Sequence, residues 1–240
     1  MTTVIYDESD VVSKKGKYYL TTNDTTYQQD IRLTDFKPYE GKGIIFNLAS
    51  SYDDWNVVRS TLFNDTINVN KGNYWLYLNG TGSKKVTTGD NRVRVIIDGE
   101  CSTNIKTGNA ENTFEVDLNS ISLIGSVSKN TITAGNKKDT YNIKGGTNKI
   151  TDKGGNNEFN IKFNGNNTIS SGSGDDTFNI EMYAGGKTNI KSGDGVDTLN
   201  VTVNDTGIWH KNDLIADLGN GDDVVEIAYK SNNIDLINLF

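Results

Sequence analysis

Large apolar residues recur along this chain every nine or ten positions. Tyr77, Val86, Val95, Ile105, Phe114, Leu123 and Ile132 set the rhythm. Tyr141, Ile150, Phe159, Ile169, Phe178, Ile190, Leu199, Ile215 and Val225 continue it, with longer gaps at two inserts. The pattern covers roughly Ile67 to Ile227. Nine residues fit no helical repeat but do fit a short strand followed by a tight turn. The units alternate in kind. In "DTFNI" the anchors Phe178 and Ile180 lie two apart and share one strand face, whereas "NTIS" and "TNIK" carry the single anchors Ile169 and Ile190. Two units, about eighteen residues, therefore make one coil of an all-β parallel solenoid, each coil burying its anchors against the next. Asn148, Thr168 and Thr188 are expected to point outward or to sit in turns.

Between the strands a second pattern recurs. "SGSGDDTFNI", "SGDGVDTLNV" and "LGNGDDVVEI" place glycines at the same two positions: Gly172 and Gly174, Gly193 and Gly195, Gly219 and Gly221. Such a small coil turns in about six residues, some of which need the positive φ that glycine reaches without strain. Two positions after the second glycine stand Asp176, Asp197 and Asp223. Coils stacked about 5 Å apart bring these three into one column. Uncompensated carboxylates in a column repel one another, and amide ladders or a bound cation relieve that repulsion. Calcium takes six to eight oxygens, from carboxylates and backbone carbonyls.

These stretches resemble the nonapeptide G-G-x-G-x-D-x-U-x of the repeats-in-toxin (RTX) family. Each lacks the first glycine, having Ser171, Ser192 or Leu218 there. The resemblance implies a right-handed parallel β-roll with Ca²⁺ between consecutive turns, near Gly172, Gly174, Asp176, Gly193, Gly195, Asp197, Gly219, Gly221 and Asp223. Upstream copies depart further. Lys137 replaces the second glycine before Asp139, and Asn112 and Asn157 stand at the acid position. Two or three ions are therefore expected, confined to the C-terminal coils, with the strong motifs at 171–226.

Composition narrows the function. Only 34% of residues are hydrophobic and the net charge is −7, a balance that suits a polyvalent cation and disfavours nucleic acid. Cys101 is the only cysteine, so no internal disulfide is expected. "MTTVIYDESD" has no basic region followed by an apolar run, so no Sec-type leader is expected. No apolar stretch approaches the ~20 residues of a membrane span. HExxH, GxSxG and P-loop motifs are missing, and a single histidine leaves little material for a triad. A non-enzymatic role is the expectation.

Residues 1–65 do not follow the rhythm and are expected to form a β-rich cap, or a small module in which Trp55 and nearby tyrosines stack on sugars. "SYDDWNVVRSTLF" reads as a short helix or a loop. The repeats are expected over 66–230 and a C-terminal cap over 231–240, whose "NIDLINLF" also suits the uncleaved signal of a type I exporter substrate. The insert after Val201 holds Trp209 and His210, which either contact a ligand or fold back over the stack. The reading as a whole is a secreted or bacterial cell-surface calcium-binding RTX-type β-roll. It would serve as a structural, folding and secretion module of an adhesin, toxin or surface-layer protein, meeting type I secretion machinery and a cell-surface or glycan partner. The competing reading is a carbohydrate-binding or carbohydrate-cleaving solenoid.

Overall fold

The computed structural model describes residues 3–33, 42–60, 63–117, 128–182, 186–204, 212–229 and 236–239. It is a parallel β-solenoid, as the nine-residue rhythm requires. The strands in chain order begin with β1 (Thr3–Tyr6), β2 (Val12–Lys14), β3 (Lys17–Thr21), β4 (Gln28–Arg32), β5 (Lys42–Ala49), β6 (Trp55–Arg59) and β7 (Asn64–Lys71). Next come β8 (Asn73–Asn79), β9 (Ser83–Thr87), β10 (Val93–Asp98), β11 (Ser102–Lys106), β12 (Thr113–Asp117), β13 (Lys129–Thr133) and β14 (Thr140–Thr151). The last are β15 (Glu158–Ser170), β16 (Thr177–Met182), β17 (Gly186–Lys191), β18 (Thr198–Val203), β19 (Asn212–Asp217), β20 (Val224–Tyr229) and β21 (Leu236–Leu239).

They stack into two parallel ladders, one per face. The first runs β1–β4–β6–β8–β10–β12 and on through the first half of β14 and β15 to β16–β18–β20. The second runs β3–β5–β7–β9–β11–β13, through the second halves of β14 and β15, to β17–β19–β21. β14 passes from one face to the other at Gly145 and Gly146, where the register shifts.

The alternation of paired and single anchors is realised in the core. On the first face Phe114, Tyr141, Phe159 and Phe178 stack ring on ring, with centroids 5.0, 4.6 and 4.8 Å apart. Beside them Val116, Ile143, Ile161, Ile180 and Val201 form a second buried row. The second face contributes Ile67, Val86, Ile105, Ile132, Ile150, Ile169 and Ile190. A row this regular lets each side chain bury itself against its own equivalent, which is what makes a thin, one-coil-wide core sufficient.

Several expectations are corrected. Tyr77 points outward, since β8 buries Tyr74, Leu76 and Leu78. Ile215 also points outward, because β19 sets Ala216 opposite Ile190. Asn148 and Thr188 are buried, whereas Thr168 is exposed as expected. Their ladder carries amide bonds from coil to coil. Thr103 Oγ1 donates to Asn130 Oδ1 and Asn130 Nδ2 to Asn148 Oδ1, each at 2.9 Å. Asn148 Nδ2 then donates to Asn167 Oδ1 (2.9 Å) and Asn167 Nδ2 to Thr188 Oγ1 (3.2 Å). A buried amide is tolerated when its neighbours satisfy it. Upstream the same column holds a buried ion pair, Lys84 to Asp65 at 2.9 Å.

The strands of residues 1–65 continue both ladders. The stretch around Trp55 is the strand β6, not a helix. What is special at this end is the antiparallel hairpin of β2 and β3, which turns at Lys15 and Gly16. At the other end β21 extends the second face within the segment expected as a cap. Leu123, Trp209 and His210 lie outside the described residues.

Candidate metal centre

The three strongest Gly-x-Gly-x-Asp turns stack along the edge that leads from the second face back to the first. Ser173, Asp194 and Asn220 form parallel bridges. Gly174 N donates to the Asp194 carbonyl (2.8 Å) and Gly195 N to that of Asn220 (2.9 Å). Asn220 N donates back to the Gly193 carbonyl (3.0 Å). Gly193 has φ 106° and Gly195 φ 144°. A Cβ on Gly193 would overlap the Gly172 carbonyl oxygen, and one on Gly195 that of Gly174. Both backbone conformation and coil-to-coil distance therefore demand glycine here.

The serines that replace the first glycine of the repeat point inward. Ser171 Oγ donates to the Ser192 carbonyl (3.0 Å), and Ser192 Oγ to that of Leu218 (2.6 Å). Both serines thus close a bond between neighbouring coils.

Asp176, Asp197 and Asp223 fall into one column, together with Asn112, Asp139 and Asn157. The column lies inside the edge rather than on it. Asp139, Asp176 and Asp197 are buried, and only Asp223, in the last of these turns, is half-buried. Each member accepts a backbone N–H from its equivalent one coil earlier. Asn112 N donates to Asp139 Oδ1 (2.6 Å), Asp139 N to Asn157 Oδ1 (2.9 Å) and Asn157 N to Asp176 Oδ1 (2.7 Å). Asp176 N donates to Asp197 Oδ1 (2.8 Å) and Asp197 N to Asp223 Oδ1 (2.9 Å). The second oxygen, Oδ2 of Asp139, Asp176 and Asp197, is buried without a hydrogen-bond partner.

Burial of this kind favours the neutral acid. It pushes the pKa of Asp176 up to about 7, with the charges of Asp197 and Asp152 adding to the effect. Burial also raises Asp197, reinforced by Asp223 and Asp175. Asp139 is pushed up to about 8 by burial and by the neighbouring Asp152. Asp152, raised by burial to about 6, occupies the position of the inward serines and accepts the Tyr141 hydroxyl at 2.6 Å. Its contribution was legible only in "DKGGNN", where an acid stands in the slot that holds serine in the next two turns.

The acids next to the column behave differently. Asp175 and Asp194 are exposed and bond outward, Asp175 Oδ1 accepting Val196 N (2.9 Å) and Asp194 Oδ1 accepting Asn220 Nδ2 (2.7 Å). Adjacent carboxylates such as Asp175 and Asp176 point to opposite sides of the chain and do not form a catalytic pair across a cleft.

The donor set fits a hard cation in one respect: Asp176 and Asp197 each hold a buried oxygen without a hydrogen-bond partner, the adjacent Ser171 and Ser192 hydroxyls donating instead to carbonyls of the next coil. Among the described residues no three side chains of His, Cys, Asp or Glu gather around one point. A calcium shell at this edge would therefore draw most of its oxygens from the backbone carbonyls of stacked turns.

No protein-family model, no curated protein and no solved structure matches the chain.

Proposed function

We propose that this chain is a calcium-stabilised structural solenoid of the RTX type, a rigid folding module of a secreted or bacterial surface protein such as an adhesin, toxin or surface-layer protein. The observation that carries the reading is the column itself. Asp139, Asp176 and Asp197 each commit one oxygen to a backbone N–H and bury the other unanswered. A protein gains nothing in stability from such oxygens unless a proton or a cation meets them.

The residues that would hold calcium are Asp176, Asp197 and Asp223, with the carbonyls of the glycine turns around them. The ion supplies charge compensation for the column. The protein's own part is to align the carboxylates by their bonds to successive N–H groups and to exclude water from them. An ion that binds only the folded chain stabilises it by mass action. In low calcium the acidic coils would then be poorly ordered and easily threaded through a type I exporter, and they would set after export.

The test is circular dichroism and isothermal calorimetry of the full chain during a calcium titration, with D176N and D197N beside it. The expected outcome is saturable binding, a gain in β signal or melting temperature, and loss of both in the variants. A chain that shows no heat of binding up to millimolar calcium and unfolds identically in chelator would refute the reading.

A further inference from the structure

The chain has four arginines, Arg32, Arg59, Arg92 and Arg94, and three tryptophans. All four arginines and two of the tryptophans converge on the outer side of the first face, between β4 and β10. The register makes a grid of three rows. Trp55 lies opposite Asn73, with Arg92 next along; Val57, Trp75 and Arg94 follow one another; so do Arg59 and Tyr77. Guanidinium carbons sit 5.2 Å from the Trp55 ring centroid (Arg92), 5.1 Å from that of Trp75 (Arg94) and 5.5 Å from that of Tyr77 (Arg59). The two indoles are 6.0 Å apart. Elsewhere the outer sides of the strands carry mostly Thr, Asn, Lys and Glu, as in the rows of β14 to β17.

Carboxylates answer three of the four arginines on this face. Asp30 receives both Arg32 (2.5 Å) and Arg59 (2.8 Å), and Glu115 receives Arg94 (2.5 Å). Arg92 is exposed and has no carboxylate partner among the described residues. Trp75 Nε1 is buried without an acceptor. Nothing in the stacking of the coils calls for this cluster. The core lies on the other side of the sheet, and the equivalent outer positions of later coils are filled mostly by Thr, Asn and Glu.

We propose that this face binds an acidic polysaccharide, with Arg92 and Trp55 as its central contacts. This goes beyond the calcium-stabilised scaffold and does not depend on it. A guanidinium meets a carboxylate with two parallel N–H groups. A half-buried indole offers a rigid apolar plate to the C–H face of a pyranose at low entropic cost. An open sheet face crossing several strands suits an extended polymer better than a compact small molecule. Sugar rings interleaved with well-separated carboxylates match interleaved indoles and guanidiniums. Single-stranded nucleic acid also stacks on such platforms, but its dense phosphates would meet the field of a chain whose net charge is −7.

The test is calorimetric titration of the full chain, in calcium, with a hyaluronan octasaccharide, whose uronates alternate with uncharged sugars and which does not gel with calcium. Chito-oligosaccharide, oligo-dT and poly-glutamate are run in parallel. Binding of hyaluronan is expected to weaken as salt is raised, and to fall about tenfold or more in R92E and in W55A. Arg92 is exposed, so R92E should leave the melting temperature unchanged, and this keeps the result interpretable if W55A folds poorly. Three results would overturn the proposal: no binding by the wild-type chain, binding unchanged in R92E, or oligo-dT, poly-glutamate or the neutral oligosaccharide binding as well as hyaluronan.

Discussion

Replacing Asp176 with asparagine changes one buried atom and tests the column directly. Asp176 Oδ1 accepts Asn157 N at 2.7 Å, and an amide keeps that acceptor. What changes is Oδ2, which has no partner. In its place comes an NH₂ group with a precedent one coil earlier, where Asn157 Nδ2 donates to the Ser171 carbonyl at 3.4 Å. The folded chain holds the proton of Asp176 up to about pH 7, whereas the unfolded carboxyl releases it near 3.8. The native state therefore binds the extra proton within that window. The contribution of Asp176 to metal-free stability falls as pH rises through it and levels off above about 7. The whole displacement corresponds to about 4 kcal/mol, which solvent at the rim of the turn reduces to about 2 kcal/mol. D176N should accordingly unfold at higher urea than wild type at pH 8 in chelator, by about 2 kcal/mol, and should lose that advantage near pH 4. In calcium the order reverses: the wild-type chain gains about 2.7 kcal/mol at a hundredfold excess over Kd, and D176N gains little. Urea denaturation at both pH values, with chelator and with calcium, reads all of this. If D176N were no more stable than wild type at pH 8 in chelator, or equally advantaged at pH 4, the buried carboxylate would not be the liability argued for it.

Other substitutions probe the rest of the stack. Gly193→Ala places a Cβ on the Gly172 carbonyl in a left-handed backbone, and should cost at least about 2 kcal/mol in urea denaturation. Gly16→Ala, left-handed but with nothing within 4 Å, should cost only about 1 kcal/mol. Phe159→Ala empties the middle of the ring stack and should lower stability by 3–5 kcal/mol, read as an earlier thermal transition. Lys84→Met removes the cation from the buried Asp65 carboxylate, for an expected loss of about 3–5 kcal/mol. Adding Asp65→Asn should restore part of it while keeping the acceptor for Ile44 N. An undiminished loss in the double variant would contradict the ion-pair account.

Much of the fold was legible because Phe114, Tyr141, Phe159 and Phe178 repeat at fixed distances, and a solenoid stacks like on like. The failures have physical causes. In β8 aromatic residues occupy both sides, so apolarity did not distinguish inward Tyr74 from outward Tyr77. Leu214 and Ile215 are adjacent and follow an insert, and only the pairing of Ala216 with Ile190 settles which points inward. Residues 1–65 hid their coils because the step from β5 to β7 carries irregular register, which blurs the period. Asn148 and Thr188 looked like surface residues because single polar side chains usually are. Their burial depends on amide partners that exist only once the coils are stacked. The aspartate column followed from spacing alone, but its inward aim did not. That depends on each carboxylate reaching the N–H one coil back.

That reach gives the molecule a direction. Every carboxylate or amide oxygen in the column answers a donor left open by the winding before it, so each new winding completes its predecessor, as Asp223 does for Asp197 N. The stack therefore behaves like a zip whose teeth engage in one order. A winding in the middle that fails to close would leave its forerunner unfinished, and a fault should be felt towards the amino-terminal side of the break before it is felt beyond it.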